Sequence, residues 1–260
     1  MNMRRKIVGS SWKMHINSIK DGVELAEQIK DYVGNVEAVE IFILPTFPMI
    51  KYIADIFKES KIGWGAQNMC FEEKGAYTGE VPAQVLKELE CNYVEIGHAE
   101  RRALFNETDE IVNKKVRLCY KYDLVPIVCI GETQEDLNNN VQDVRLQTQV
   151  LWALNGLEKD QIKRLIFAYE PVWAIGQAEA ANPEYVQNMH KYIRSIIKKQ
   201  YGREVSENIR IIYGGSVSPE NAVELTQYED IDGLFIGRFG LKAENFNSMV
   251  ETTLMKSYIK

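Results

Sequence analysis

The sequence offers no apolar run of roughly eighteen residues, so no membrane-spanning helix is expected. The basic opening Met1 to Lys6 leads only into Ile7-Val8, too short for the core of a secretory leader. Cysteine is scarce and scattered. Cys70, Cys91, Cys119 and Cys129 form no C-x-x-C pair and stand near no histidine doublet, which argues against metal or redox use and for inert thiols in a reducing cytoplasm. There is no excess of positive charge, since 31 Lys and Arg face 37 Asp and Glu for a net charge of −6, so nucleic acid is not an expected partner. Nor is there a linker rich in Pro, Gly or Ser, a low-complexity tract or a long charge block, so residues 1–260 read as a single domain.

What the chain does have is 260 residues, 45% of them hydrophobic, enough to bury a large core. Eight short apolar runs recur, at 6–10, 39–44, 62–67, 93–97, 124–131, 165–169, 209–214 and 231–237. Amphipathic stretches at helical period lie between them, as at 21–33, 107–122, 134–154 and 184–200. Strand and helix alternate to the end, which implies parallel strands with helical crossovers. Eight such units predict an α/β fold of the (β/α)8 barrel type, with a doubly wound open sheet as the alternative. Helix signals agree: Asn182-Pro183-Glu184 and Ser218-Pro219-Glu220 each supply a cap, a proline at the first turn and an early acid, and Gly202 follows Tyr201 as a stop.

Such barrels carry their chemistry at the carboxyl ends of the strands, so the residues after each run matter most. The first run ends in Ser11-Trp12-Lys13, the fourth in His98, the sixth in Glu170, the seventh in Gly214-Gly215-Ser216 and the eighth in Gly237. Taken singly, each has an ordinary explanation. A lysine is usually a surface group, a lone histidine a hydrogen-bonded structural one, a loop glutamate a solvated acid, and a glycine pair a tight turn. Converging on one mouth, Glu170, His98 and Lys13 suit proton transfer beside a carbonyl: a base, an electrophile, and a fixed positive charge for the developing oxyanion. The helix that begins at Glu100-Arg101-Arg102 would favour a neutral imidazole at His98. Small residues at neighbouring strand ends let backbone amides approach a phosphate. Pro171 fixes the backbone beside Glu170, so a stiff hinge precedes the loop that runs to Gly176.

These motifs together identify a resemblance. Ser11-Trp12-Lys13-Met14, residues 75–80, Tyr93 to His98, Glu100-Arg101-Arg102, Cys129 to Glu132, Ala168 to Gly176 and Tyr213 to Val217 are, in order and spacing, similar to the triosephosphate isomerase family along nearly the whole chain. The resemblance implies a cofactor-free and metal-free aldose-ketose isomerase of a small sugar phosphate. It implies that Glu170 is the base, that His98 is the neutral electrophile and that Lys13 is the cation, with Glu100 holding the lysine. It further implies phosphate-binding amides at Gly176, Ser216, Gly237 and Arg238. It also implies a homodimer, whose loop 75–80, with Thr78 and Glu80, enters the neighbouring subunit.

Four places depart from the family pattern, and all four belong around the substrate. Ser11 stands where asparagine is usual, Ala99 follows the histidine in place of serine, Gln177-Ala178 replaces Thr-Gly at the loop tip, and Gly237-Arg238-Phe239-Gly240 replaces Gly-Gly-Ala-Ser. Ser-Trp-Lys-Met and Gly-Arg resemble the branch of the family that isomerises four-carbon erythrulose phosphates. The intact motifs point to the three-carbon pair dihydroxyacetone phosphate and glyceraldehyde 3-phosphate, and the departures to the four-carbon one. A non-catalytic phosphate-binding barrel is a remote third reading, disfavoured because Lys13, His98 and Glu170 are all kept.

Overall fold

The computed structural model describes residues 4–177 and 180–258. Alternating side chains build eight parallel strands: β1 (Ile7–Ser11), β2 (Glu40–Leu44), β3 (Ile62–Ala66), β4 (Tyr93–Ile96), β5 (Val125–Ile130), β6 (Ile166–Tyr169), β7 (Arg210–Tyr213) and β8 (Gly233–Ile236). Each pairs with the next, and β1 pairs with β8, Ile7 standing opposite Gly233, so the sheet closes on itself. The open-sheet alternative is thereby ruled out. Each strand matches an expected run to within two residues at either end.

The period of two sorts the core into two parts. Inward-facing Ile7, Phe42, Tyr93, Ile127, Ile166 and Ile212 fill the barrel, while outward-facing residues such as Val8, Val94, Val128 and Phe167 pack under the helices. Sheet and helices are therefore held by the same alternation, each fully buried aliphatic or aromatic side chain contributing about 1.5–3 kcal/mol. Large and small residues complement one another inside. A Cβ on Gly9 would lie 2.1 Å from the Phe42 ring, so Gly9→Val would force that ring out of the barrel.

One helix expectation is corrected. The stretch 134–154 is not one helix but two, Gln134–Asn138 and Gln142–Leu154, because Asn140 adopts a left-handed backbone with φ +56° between them. Asparagine tolerates that conformation better than most residues, and it ends the first helix despite a continuing amphipathic pattern. The expected caps are present. Asn182 Oδ1 accepts from the Glu184 and Tyr185 amides, Ser218 and Asn221 form a reciprocal capping box, and Gly202 closes its helix at φ +95°.

Charge closes the barrel's amino-terminal end. Asp232, just before β8, accepts from Arg4 Nε at 2.5 Å, Arg194 Nη2 at 2.8 Å and the Ile211 amide at 2.8 Å. Glu40 at the start of β2 receives Arg210 and the Tyr93 hydroxyl.

Candidate active site

At the opposite end the strand termini surround a cavity of about 320 Å³. Ser11, Lys13, His98, Glu100 and Glu170 line it, and so do Gly176, Ser216, Gly237 and Arg238. Nine of the positions singled out in the sequence thus share one site. Thr78 and Glu80 are not among the lining residues and lie on an exposed stretch. Ala178, one of the departures, falls outside the described residues.

Lys13 leaves β1 in a left-handed conformation, φ +47°, which costs a non-glycine residue about 1–3 kcal/mol. Gln67 holds it there by donating Nε2 to the Lys13 carbonyl at 2.9 Å. The ammonium then reaches Glu100 Oε1 at 2.6 Å. Burial alone would lower the lysine's pKa, but the bond to Glu100 and the nearby Glu170 and Glu95 outweigh it and leave it raised. The group is a permanent cation at neutral pH.

His98 caps the helix Ala99–Leu104, its Nδ1 accepting the Glu100 amide at 3.1 Å. A ring nitrogen that accepts carries no proton, so the hydrogen of the neutral imidazole is on Nε2, which faces the cavity. Burial and then the Lys13 charge push its pKa down to about 4, keeping the ring neutral across the physiological range. Nε2 lies 3.3 Å from Glu170 Oε2 without the alignment of a hydrogen bond.

Glu170 follows β6, and its amide donates to the Ile130 carbonyl at 2.8 Å. Two glycines make its place. A Cβ on Gly131 would sit 1.9 Å from the Glu170 carbonyl oxygen, and one on Gly214 would sit 2.6 Å from its Oε1. The side chain is only 5% exposed, and Oε2 has no hydrogen-bond partner among the described residues. Burial, followed by the negative charge of Glu95, raises its pKa to about 8. A carboxylate so placed is a stronger base than an ordinary glutamate.

Glu95 also lines the cavity, and the sequence reading passed over it as part of a matching motif. Its signal was present: period two on β4 turns Tyr93 and Glu95 inward, so a charge replaces an apolar side chain inside the barrel. Ser11 donates to Glu95 Oε2 at 2.7 Å, so the serine is directed to this acid.

The loop after Glu170 is tied at both shoulders. Glu132 accepts from the hydroxyls of Tyr169 and Tyr185 and from Trp173 Nε1, all within 3.0 Å. On the far side the Ala181 amide donates to the Tyr213 hydroxyl at 3.2 Å, and Ser216 Oγ donates to the Ala174 carbonyl at 2.7 Å. Tyr213 and Tyr185 were also missed, because these partners are distant in sequence and only the fold joins them.

Fold and site define a barrel enzyme with a paired base and electrophile at a small cavity that Ile175 and Gly176 of the following loop help to line. The family model for triosephosphate isomerase matches residues 6–253. A triosephosphate isomerase of Clostridium botulinum is 43% identical over 248 residues, covering 95% of this chain and 99% of the relative. Those of Dictyoglomus thermophilum and Carboxydothermus hydrogenoformans are 41% and 38% identical, covering 96% and 97% of this chain and the whole of each relative. The chain belongs to the triosephosphate isomerase family and is an isomerase. No described helix is long and apolar enough to cross a membrane.

Proposed function

We propose that the protein interconverts dihydroxyacetone phosphate and glyceraldehyde 3-phosphate. Glu170 takes a proton from the hydroxymethyl carbon, and the electron pair left behind moves to the adjacent carbonyl oxygen. His98 Nε2–H and the Lys13 ammonium stabilise the enediolate so formed. A proton then passes from the terminal hydroxyl to the former carbonyl oxygen by way of His98 Nε2, and Glu170 returns its own proton to the former carbonyl carbon, leaving the terminal oxygen as the aldehyde and the inner one as the hydroxyl. The amides at Gly176, Ser216, Gly237 and Arg238 hold the phosphate, and the loop excludes water that would promote its loss from the enediol.

The observation that carries this reading is the opposition of the unpaired Glu170 Oε2 and the proton-bearing His98 Nε2, 3.3 Å apart in one cavity with Lys13. The names of the relatives favour the three-carbon substrate, and nothing in them supports the four-carbon alternative. The test is isomerisation of dihydroxyacetone phosphate by the purified protein, together with solvent exchange of its carbon-bound proton. Glu170→Gln, as control, is expected to lower kcat by about 10²–10⁴-fold. A wild-type protein that neither isomerises nor exchanges would return the chain to the non-catalytic binding reading.

The same reading extends to a cytoplasmic homodimer. Its support is the family resemblance and the exposure of residues 73–80, including Thr78 and Glu80. Sedimentation of wild type against Thr78→Arg is the check; monomeric wild type at micromolar concentration would count against it.

A further inference from the structure

Glu95 is the one carboxylate of the cavity for which the proton transfer above has no use. It is 3% exposed and stands at an inward position of β4. A carboxylate offers about four acceptor sites, and a buried one is costly unless they are filled. Buried carboxylates elsewhere in this protein meet that demand with several donors: Glu132 has two tyrosine hydroxyls and the Trp173 indole. Glu107 receives Arg101, Lys115 and the Gly97 amide. Among the described residues Glu95 has a single good donor, Ser11 Oγ at 2.7 Å, while the Cys129 thiol stands off at 3.9 Å from Oε1. A barrel of this kind fills inward positions with apolar side chains, and packing alone would be served better by one here. Oε1 lies on the side of Cys129, and Glu95 and Glu170 line the same cavity. The two carboxylates are therefore presented to the same bound molecule.

We propose that Glu95 is a specificity-determining residue, accepting a hydrogen bond from the hydroxyl on the substrate carbon farthest from the phosphate and so turning that carbon towards Glu170. The assignment rests on the sugar-phosphate reading above. Phosphate held at the amides of Gly176, Ser216 and Gly237 directs the distal end of a short chain to the two carboxylates, where Ser11 orients the acceptor. The ligand class is a phosphate monoester with a distal hydroxyl, and selectivity arises because an analogue lacking that hydroxyl leaves a buried acceptor unsatisfied.

Two unreactive compounds that differ only in this group test the idea by calorimetry: glycerol 3-phosphate and propane-1,2-diol 1-phosphate. Wild type is expected to bind the first at least about tenfold more tightly, the range for a hydrogen bond to a charged group. In Glu95→Leu the preference should fall to within about twofold, and in Glu95→Gln, which keeps a neutral acceptor of the same size, it should fall part of the way. The glutamine variant carries the test should the leucine variant not fold. An equal preference in wild type and variants overturns the assignment, as does a wild type that binds neither compound or does not discriminate. Failure of the two readings is separable. Turnover of dihydroxyacetone phosphate with an unchanged binding preference removes the role of Glu95 alone, whereas a preference lost in the variants without any turnover removes the reaction and leaves the hydroxyl site standing.

Discussion

The two ends of the barrel bury acidic groups to the same degree and treat them oppositely. At the amino-terminal end Asp232, 1% exposed, is surrounded by two guanidinium groups and a backbone amide. At the mouth Glu170 is 5% exposed and, among the described residues, keeps one oxygen without a partner, while Glu95 has one hydroxyl and a distant thiol. Desolvation is similar, so satisfaction makes the difference. A fully bonded buried carboxylate holds elements together, whereas an under-bonded one is kept basic and receptive at a cost in stability.

Substitutions at the two ends should therefore separate activity from stability. The largest effect is expected at the mouth, where Glu170→Gln should leave the melting temperature no lower than wild type while kcat drops by the two to four orders of magnitude given above. At the other end Asp232→Asn, which leaves Arg194 to Asp230 and Arg4 to backbone carbonyls, should cost about 1.5–3 kcal/mol in chemical denaturation with kcat per folded molecule unchanged. If both variants lost stability equally, the contrast between the ends would fail.

Glu95 gives a third, pH-dependent contrast. Burial, offset only in part by Ser11 and Lys13, raises its pKa to about 7. The folded state thus binds this proton more tightly than the unfolded state, so the stability it contributes is present below the ordinary glutamate range and is lost as pH rises through about 7. Glu95→Leu should consequently exceed wild type by about 2–3 kcal/mol at pH 9 and by far less at pH 4. Urea unfolding at the two values decides the point, and a gain independent of pH would assign it to packing. The smallest effect is expected for Tyr213→Phe, which removes the bond to the Ala181 amide. One neutral hydrogen bond is about 0.5–1.5 kcal/mol, so kcat/KM should fall by at most about tenfold with little change in melting temperature.

Much of the architecture was legible because it depends on local pattern. Period-two runs, a cap before Pro183 and another before Pro219, and a glycine after Tyr201 all act within a few residues. The break at Asn140 was not legible, since the apolar period runs through it and only the backbone conformation changes. Lys13, His98 and Glu170 could be proposed from their positions after strands, but the strain at Lys13 and the proton position on His98 needed Gln67 and the Glu100 amide in space. Ser11 stands out in the sequence only as a departure from the usual asparagine. Its observed partner is Glu95, from a strand 84 residues away, and no local rule connects the two.

The pairing of β1 with β8 bears on how the protein is made. Lys13 stands directly after β1, and its wall of the cavity is completed by residues beyond Gly233. A nascent chain holds Glu100, the lysine's partner, well before β8 is made, but a fragment ending before β8 lacks both the seam and the amides at Gly237 and Arg238 proposed to hold phosphate. Closing a loop of that length is entropically slow. Recovery of isomerase activity during refolding should accordingly report ring closure itself, lagging behind the return of helical signal.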